Sequence, residues 1–199
     1  MPAGRPVSGM KLIVGLGNPG AEYAETRHNA GWRVAETLAS RWGAGGWKEK
    51  FDAAVAEAHT GGDKVALARP LTYMNRSGLA VRQLMAFWKV EADAVLVVSD
   101  DWNLELGRLR LRGSGSAGGH NGLESVIGEL GHDGFARLRV GIGPGPGPEA
   151  QVDFVLSRFA KAEEPVIAKA IEEAAAAAEC WAKEGLAEAM NRFNQAKEE

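Results

Sequence analysis

The chain has one cysteine, Cys180, among 199 residues. No internal disulfide can form and no cysteine cluster can hold zinc, which fits a reducing cytoplasm. Long apolar runs are also missing. No stretch reaches the roughly 18 apolar residues of a membrane span, so no membrane partner is expected. The opening, with Pro2, Arg5 and Pro6, lacks the apolar stretch of a secretory signal. It reads as a flexible tail over residues 1–10, ahead of one domain over 11–199. Basic residues are not in excess: 23 Lys and Arg stand against 26 Asp and Glu, so net charge does not announce a nucleic-acid binder. No H-E-x-x-H or similar metal spacing occurs, and no Ser or Cys stands in a nucleophile elbow. Neither a metal nor a cofactor is expected.

What is present suits a globular domain. Apolar residues make up 45% of the chain, enough for a sizeable core and too many for disorder. The charges are unevenly spread. Residues 1–90 carry twelve Lys/Arg against seven Asp/Glu, while 91–107 carry five acids and no base. Residues 108–148 carry five Arg against three acids, and 149–199 carry eleven acids against six bases. Such a chain can bind RNA where its basic side chains share one face. Otherwise these charges only solvate the surface.

Periodicity alternates between strand and helix. Lys11–Leu16 is a buried strand ending at a glycine–proline turn. Trp32, Ala35, Leu38, Ala39 and Trp42 give a helix over about 29–42. Phe51–His59 and Lys64–Ala68 form a hairpin around Gly61-Gly62-Asp63, broken by Pro70. A helix is expected over Ser77–Trp88. A buried strand follows over Ala94–Ser99, ending at Asp100-Asp101. Leu109–Arg112 alternates as an edge strand does. Gly113–Gly119 is a loop, Gly122–Leu130 a helix and Ala136–Ile142 a strand leading into a Gly-Pro run. Lys161–Trp181 and Leu186–Asn194 are helical. The fold class is α/β, a single domain with a twisted mixed β-sheet flanked by helices.

Several motifs sit at the ends of these elements. Gly15-Leu-Gly17-Asn-Pro-Gly20 matches the dinucleotide-binding fingerprint, but that fingerprint wants an acidic residue about 20 positions on at the end of a second strand, and here that region, near Ala39 and Ser40, is the middle of a helix. A tight turn explains the glycines better, and no dinucleotide is expected. His28 is a candidate general base. Asp100 at a strand end can hold one histidine tautomer, or simply suit a turn. Asn75 and Asn121 either cap the helices that follow them or face a ligand. Residue by residue, this inventory supports water activated by a His–Asp pair, with neutral amides donating to a carbonyl or oxyanion.

Longer stretches carry a resemblance. Lys11-Leu-Ile-Val-Gly-Leu-Gly-Asn-Pro-Gly20 with Tyr23 and Thr26-Arg-His-Asn-Ala-Gly31 is similar to the opening of the bacterial peptidyl-tRNA hydrolase family. Pro70-Leu-Thr-Tyr-Met-Asn-Arg-Ser-Gly78, Asp100-Asp101, Leu106–Arg112, Gly118-Gly-His-Asn-Gly-Leu123 and Phe135–Gly143 resemble its later motifs. The likeness runs from Lys11 to about Phe193. It implies hydrolysis of the ester joining a peptide to tRNA, in the cytoplasm, by a monomer. The catalytic set implied is His28 as base, Asp100 as the carboxylate that keeps it basic, and Asn18, tied to preference for a blocked amino group. Tyr23, Tyr73, Asn75 and Asn121 match positions that contact the tRNA end or order the reacting water. Arg110, Arg112 and Arg139 are candidates to hold phosphates without reading sequence. A non-catalytic RNA-binding relative, of the kind plant organelles use in splicing, is the alternative. The intact His28, Asp100 and three Asn argue against it.

Overall fold

A computed structural model describes residues 9–194. Residues 1–8 of the expected tail lie outside them, while Met10 packs against the core. Among the described residues, seven strands form one sheet in the order β2-β3-β4-β1-β5-β7-β6. They are β1 (Lys11–Gly15), β2 (Lys48–Lys50), β3 (Ala53–Thr60), β4 (Asp63–Pro70), β5 (Val95–Glu105), β6 (Leu109–Arg112) and β7 (Ala136–Gly143). The central strands β4, β1, β5 and β7 run parallel, while β2, β3 and β6 add antiparallel edges. The sheet is therefore mixed, as the hairpin implies.

Helices cover it: α1 (Ala30–Arg41), α2 (Ser77–Trp88), α3 (Asn121–Leu130), α4 (Gln151–Val155), α5 (Glu164–Glu184) and α6 (Leu186–Phe193). Alternation along β1 sorts the core. Ile13 joins Val34 and Leu38 of α1 and Ile171 of α5 on one face. Leu12 and Val14 join Val81 and Leu84 of α2 and Val126 of α3 on the other. Both faces of the central strands are thus dry, which is why they read as unbroken apolar runs. No helix among the described residues is long and apolar enough to cross a membrane.

Three local features differ from the sequence expectation. Pro70 does not break β4 after Ala68 but is its last residue, opposite Ala53. The β1 ladder has already ended at Ala68, so the missing N–H costs no bond on that side. Strand β5 does not stop at Ser99. It runs through Asp100 and Asp101 to Glu105, held by β7 across a register shift between Asp101 and Glu105. A Cβ at Gly141 would lie 2.0 Å from the Glu105 carbonyl oxygen, so glycine permits that close approach. Strand β2 and helix α4 have no counterpart in the hydrophobic pattern, because Lys48-Glu-Lys50 is polar and α4 is only five residues long.

The connections place a crevice. From β1 the chain passes through α1 and the hairpin to β4 on one side, then through α2 to β5 on the other side of β1. Ligand sites of α/β sheets gather at such switch points, beyond the carboxyl ends of the strands. Asn18 follows β1, and Asp100 lies near the end of the β1–β5 pairing.

Candidate active site

The glycines after β1 serve packing. A Cβ at Gly15 would lie 2.1 Å from the Gly31 carbonyl oxygen, and one at Gly17 would enter the Trp32 ring. They let α1 close on β1, and they do not open a helix, since regular helical structure resumes only at Arg27. That geometry explains the G-x-G-x-x-G match without a nucleotide.

A single 3-10 turn, Arg27–Asn29, delivers two site residues just before α1. His28 is buried and its Nδ1 lies 2.9 and 3.0 Å from the two oxygens of Asp100. A carboxylate can only accept, so Nδ1–H donates and the Nε2 lone pair is left for a proton. Burial pushes the His28 pKa down. The Asp100 charge and hydrogen bond outweigh that, and the net shift is upward from 6.5. Asp100 is 2% exposed. Burial pushes its pKa up, but His28 and His120 reverse this and hold it well below the usual carboxylate range.

Asn29 is fully buried and clamps Asn18. Its Oδ1 accepts from the Asn18 N–H at 2.9 Å and its Nδ2 donates to the Asn18 carbonyl at 3.0 Å. The Asn18 Oδ1 accepts from the Met74 N–H at 2.7 Å. With its oxygen committed, the Asn18 amide turns its NH2 donors away from Met74, the orientation needed to bind an acceptor. The same bond ties the loop after β1 to the 3-10 turn that carries Asn75.

Asn75 and Tyr73 are exposed, and Tyr23 is half-buried in the turn after Gly20. Asn121 is exposed at the first position of α3. Neither Asn is a helix cap. The residue before α2 is Arg76, without a side-chain cap bond, and the cap of α3 is His120. A Cβ at Gly122 would meet Met74 Sδ, Leu16 Cδ1 and the His120 ring, so the start of α3 abuts the Met74 turn. The structure therefore joins His28, Asp100 and Asn18 to the backbone that bears Asn75 and Asn121.

Asn29 and His120 are site residues that sequence reasoning missed, and His120 touches Asp100 directly. Its Nε2 lies 2.9 Å from Asp100 Oδ1. Its Nδ1 accepts from the N–H groups of Gly122 and Leu123 at 3.1 and 3.2 Å. Histidine is not a favoured cap, so nothing in the sequence singled it out beside Asn121.

His28, Asp100 and His120 offer atoms within 4.8 Å of one another, a grouping that linear spacing did not reveal. A metal would need the Nε2 lone pair of His120. With Nδ1 accepting two backbone N–H bonds, the ring proton sits on Nε2 and faces Asp100 instead. The donor set fits a hydrogen-bonded triad better than a metal centre.

The arginines share the sheet face opposite α5. Arg110 lies directly across from Arg139, and Arg112 from Arg137. Arg110 and Arg112 are exposed. Arg139 donates to Asp101 at 3.2 Å and to the Ser116 carbonyl at 2.6 Å. Arg137 is fully buried and also binds backbone carbonyls of the 113–119 loop. Burial, then the neighbouring Arg139, pulls its pKa below the ordinary value. The loop is thus pinned to the sheet by two guanidinium groups.

A mixed α/β sheet with a buried histidine–carboxylate pair at its switch point has the chemical equipment of one class, hydrolases that activate water by general base. The family model for peptidyl-tRNA hydrolase matches residues 12–199. Peptidyl-tRNA hydrolases of Synechococcus sp. (strain JA-3-3Ab) and Desulfitobacterium hafniense (strain Y51) are 52% and 48% identical over 186 residues each. Those matches cover 93% and 94% of this chain and 83% and 100% of the relatives. The crystal structure of peptidyl-tRNA hydrolase from Acinetobacter baumannii superposes with a TM-score of 0.90 at 36% identity, covering 98% of this chain and 99% of that one. The chain belongs to the peptidyl-tRNA hydrolase family.

Proposed function

We propose that this chain hydrolyses the ester between a peptide's C-terminus and the terminal ribose of tRNA, releasing peptide and free tRNA. The observation that carries the reading is the buried His28–Asp100 pair, in a chain of this family, with Nδ1 committed and Nε2 free for a proton. His28 Nε2 takes a proton from water as the oxygen attacks the ester carbonyl, and as the bond to the ribose oxygen breaks the imidazolium returns that proton to it. Asp100 holds the tautomer and stabilises the imidazolium that forms. The Asn18 NH2 donates to the substrate, and Asn75 and Asn121 order water and the tRNA end beside Tyr23 and Tyr73. A general base contributes about 10²–10⁴ in rate. One amide donor at the developing oxyanion contributes roughly 3 kcal/mol. Arg110, Arg112 and Arg139 hold phosphates. Residues 11–199 act as one domain, as a monomer, in the cytoplasm.

A relative that only binds RNA gains nothing from a buried, hydrogen-bonded base, so this reading is preferred to it. The test is hydrolysis of an N-acetylated aminoacyl-tRNA in EDTA, beside the unblocked aminoacyl-tRNA and the His28→Ala variant. Rapid release from the blocked substrate alone, lost in the variant, is expected. Retention of RNA on a filter without any release would overturn the enzymatic reading.

A further inference from the structure

One carboxylate at the centre of the site serves two histidines. Asp100 Oδ1 lies 2.9 Å from both His28 Nδ1 and His120 Nε2, while Oδ2 lies 3.0 Å from His28 Nδ1 alone. The two rings lean together with centroids 4.9 Å apart. His28 is nearly equidistant from the two oxygens, so its own bond does not choose between carboxylate rotamers. The bond to His120 does. The partner is itself fixed, because the N–H groups of Gly122 and Leu123, in the first turn of α3, donate into Nδ1 and leave the proton on Nε2. A helix N-terminus thus reads out, through one imidazole, as a directed donor onto the carboxylate that orients the base.

We propose that His120 is a positioning residue of the hydrolytic site: the α3 N-terminus locks its tautomer, and its Nε2–H fixes the Asp100 carboxylate for His28. This rests on the reading of His28 as the base. Its second consequence concerns charge. A donor on Oδ1 draws density from the carboxylate and weakens the hold of Asp100 on a proton at His28. The titratable groups facing His28 are Asp100 and His120. Asp101 is engaged by Arg139, and Arg27 by Glu163. Loss of the His120 donor therefore makes His28 more basic, not less.

His120→Asn separates the two bonds His120 makes. Asn is a favoured cap and keeps the α3 N-terminus satisfied, but a side chain turned to that task does not reach Asp100. His120→Gln is the converse, an amide N–H long enough for Asp100. The readouts are kcat and KM on N-acetylaminoacyl-tRNA across pH, and the His28 ring titration by NMR without substrate. Melting temperatures check that each variant is folded. In His120→Asn, kcat is expected to fall roughly tenfold with KM unchanged. The His28 titration is expected to move up by about 0.5–1 pH unit. His120→Gln is expected to restore part of kcat. In a His28→Ala background, His120→Asn is expected to add no further loss. Wild-type kcat with an unmoved His28 titration in folded His120→Asn would reduce His120 to a helix cap and overturn the proposal. So would an additive loss in the His28→Ala background. If the wild type released no peptide, the hydrolase reading would fail while the NMR titration still decided the coupling.

Discussion

The chemistry proposed at the residue scale depends on a carboxylate that stays charged while buried, and on a base that stays neutral beside it. His28→Ala removes the proton acceptor, so hydrolysis is expected to drop by about 10²–10⁴ while the far-UV spectrum is unchanged. The pH dependence follows from the direction of the His28 shift. Its pKa is raised above 6.5 by Asp100, so the base is lost by protonation as pH falls through a value higher than 6.5. The acid limb of kcat/KM is expected there. Asp100→Asn removes the anion that raises it, and burial alone then acts on the imidazole. The limb is expected to shift to lower pH while the plateau falls by roughly 10²–10⁴, because the amide also leaves the tautomer unfixed. A limb that stayed in place would mean that Asp100 does not set the basicity of His28. Asn29 supports the other half of the site. Asn29→Ala strips two bonds from the Asn18 backbone in a buried setting, and is expected to cost about 1–3 kcal/mol of stability in a denaturant titration.

The sequence foretold elements wherever their own side chains carry the pattern. The apolar faces of α1 and α2 and the run in β1 determine their burial alone, and these appear within a residue or two of the expected bounds. Elements created by a partner were not legible. Strand β2 exists because β3 pairs it, and the end of β5 because β7 extends it past Ser99. His120 belongs to the same category. Its capping bonds to Gly122 and Leu123 are local, but histidine is not a favoured cap, and its donor to Asp100, 20 positions away, arises only in the folded site. His28, Asp100 and the three Asn were legible as single hydrogen-bonding residues at element ends, and their chemistry suggested a His–Asp pair, but the roles of the three Asn came only with the resemblance, and only the fold shows that His28 and Asp100, 72 positions apart, touch. Edge strand β6 shows a further device of this sort. The Asn194 side chain accepts from the Leu111 N–H at 2.7 Å and donates to the Leu111 carbonyl at 3.0 Å. An amide thus closes an open sheet edge and anchors the end of α6. Asn194→Ala is expected to lower stability by about 1–2 kcal/mol and to leave kcat unchanged, because β6 presents no group to His28. A matching loss of kcat would place this edge in communication with the site.

Across the whole molecule the puzzle is charge, since a protein of net charge −3 is asked to hold a polyanion. Distribution resolves it. The acids of the C-terminal third lie largely on α5 and α6, on the face away from the arginines, where they pair with Arg41, Lys183 and Arg192. The β6–β7 face gathers four arginines in register, and like charges directly opposite each other cost stability unless an anion offsets them. Asp101 offsets Arg139 only, and Arg137 is spent on loop carbonyls. Arg110 and Arg112 remain exposed on that face. The role proposed for them is phosphate contact, which positions a substrate without specifying its sequence and releases counterions on binding. The affinity for peptidyl-tRNA is therefore expected to fall steeply with salt despite the acidic pI. Arg110→Gln with Arg112→Gln is expected to raise KM, leave kcat unchanged, and flatten the log–log salt dependence by roughly one unit for each phosphate no longer neutralised. The comparison substrate is an N-acetylated aminoacyl ester of adenosine, which lacks the phosphates. On it the double variant and the wild type are expected to be equal. An equal loss on both substrates would show that these arginines act on the ester and not on the tRNA backbone.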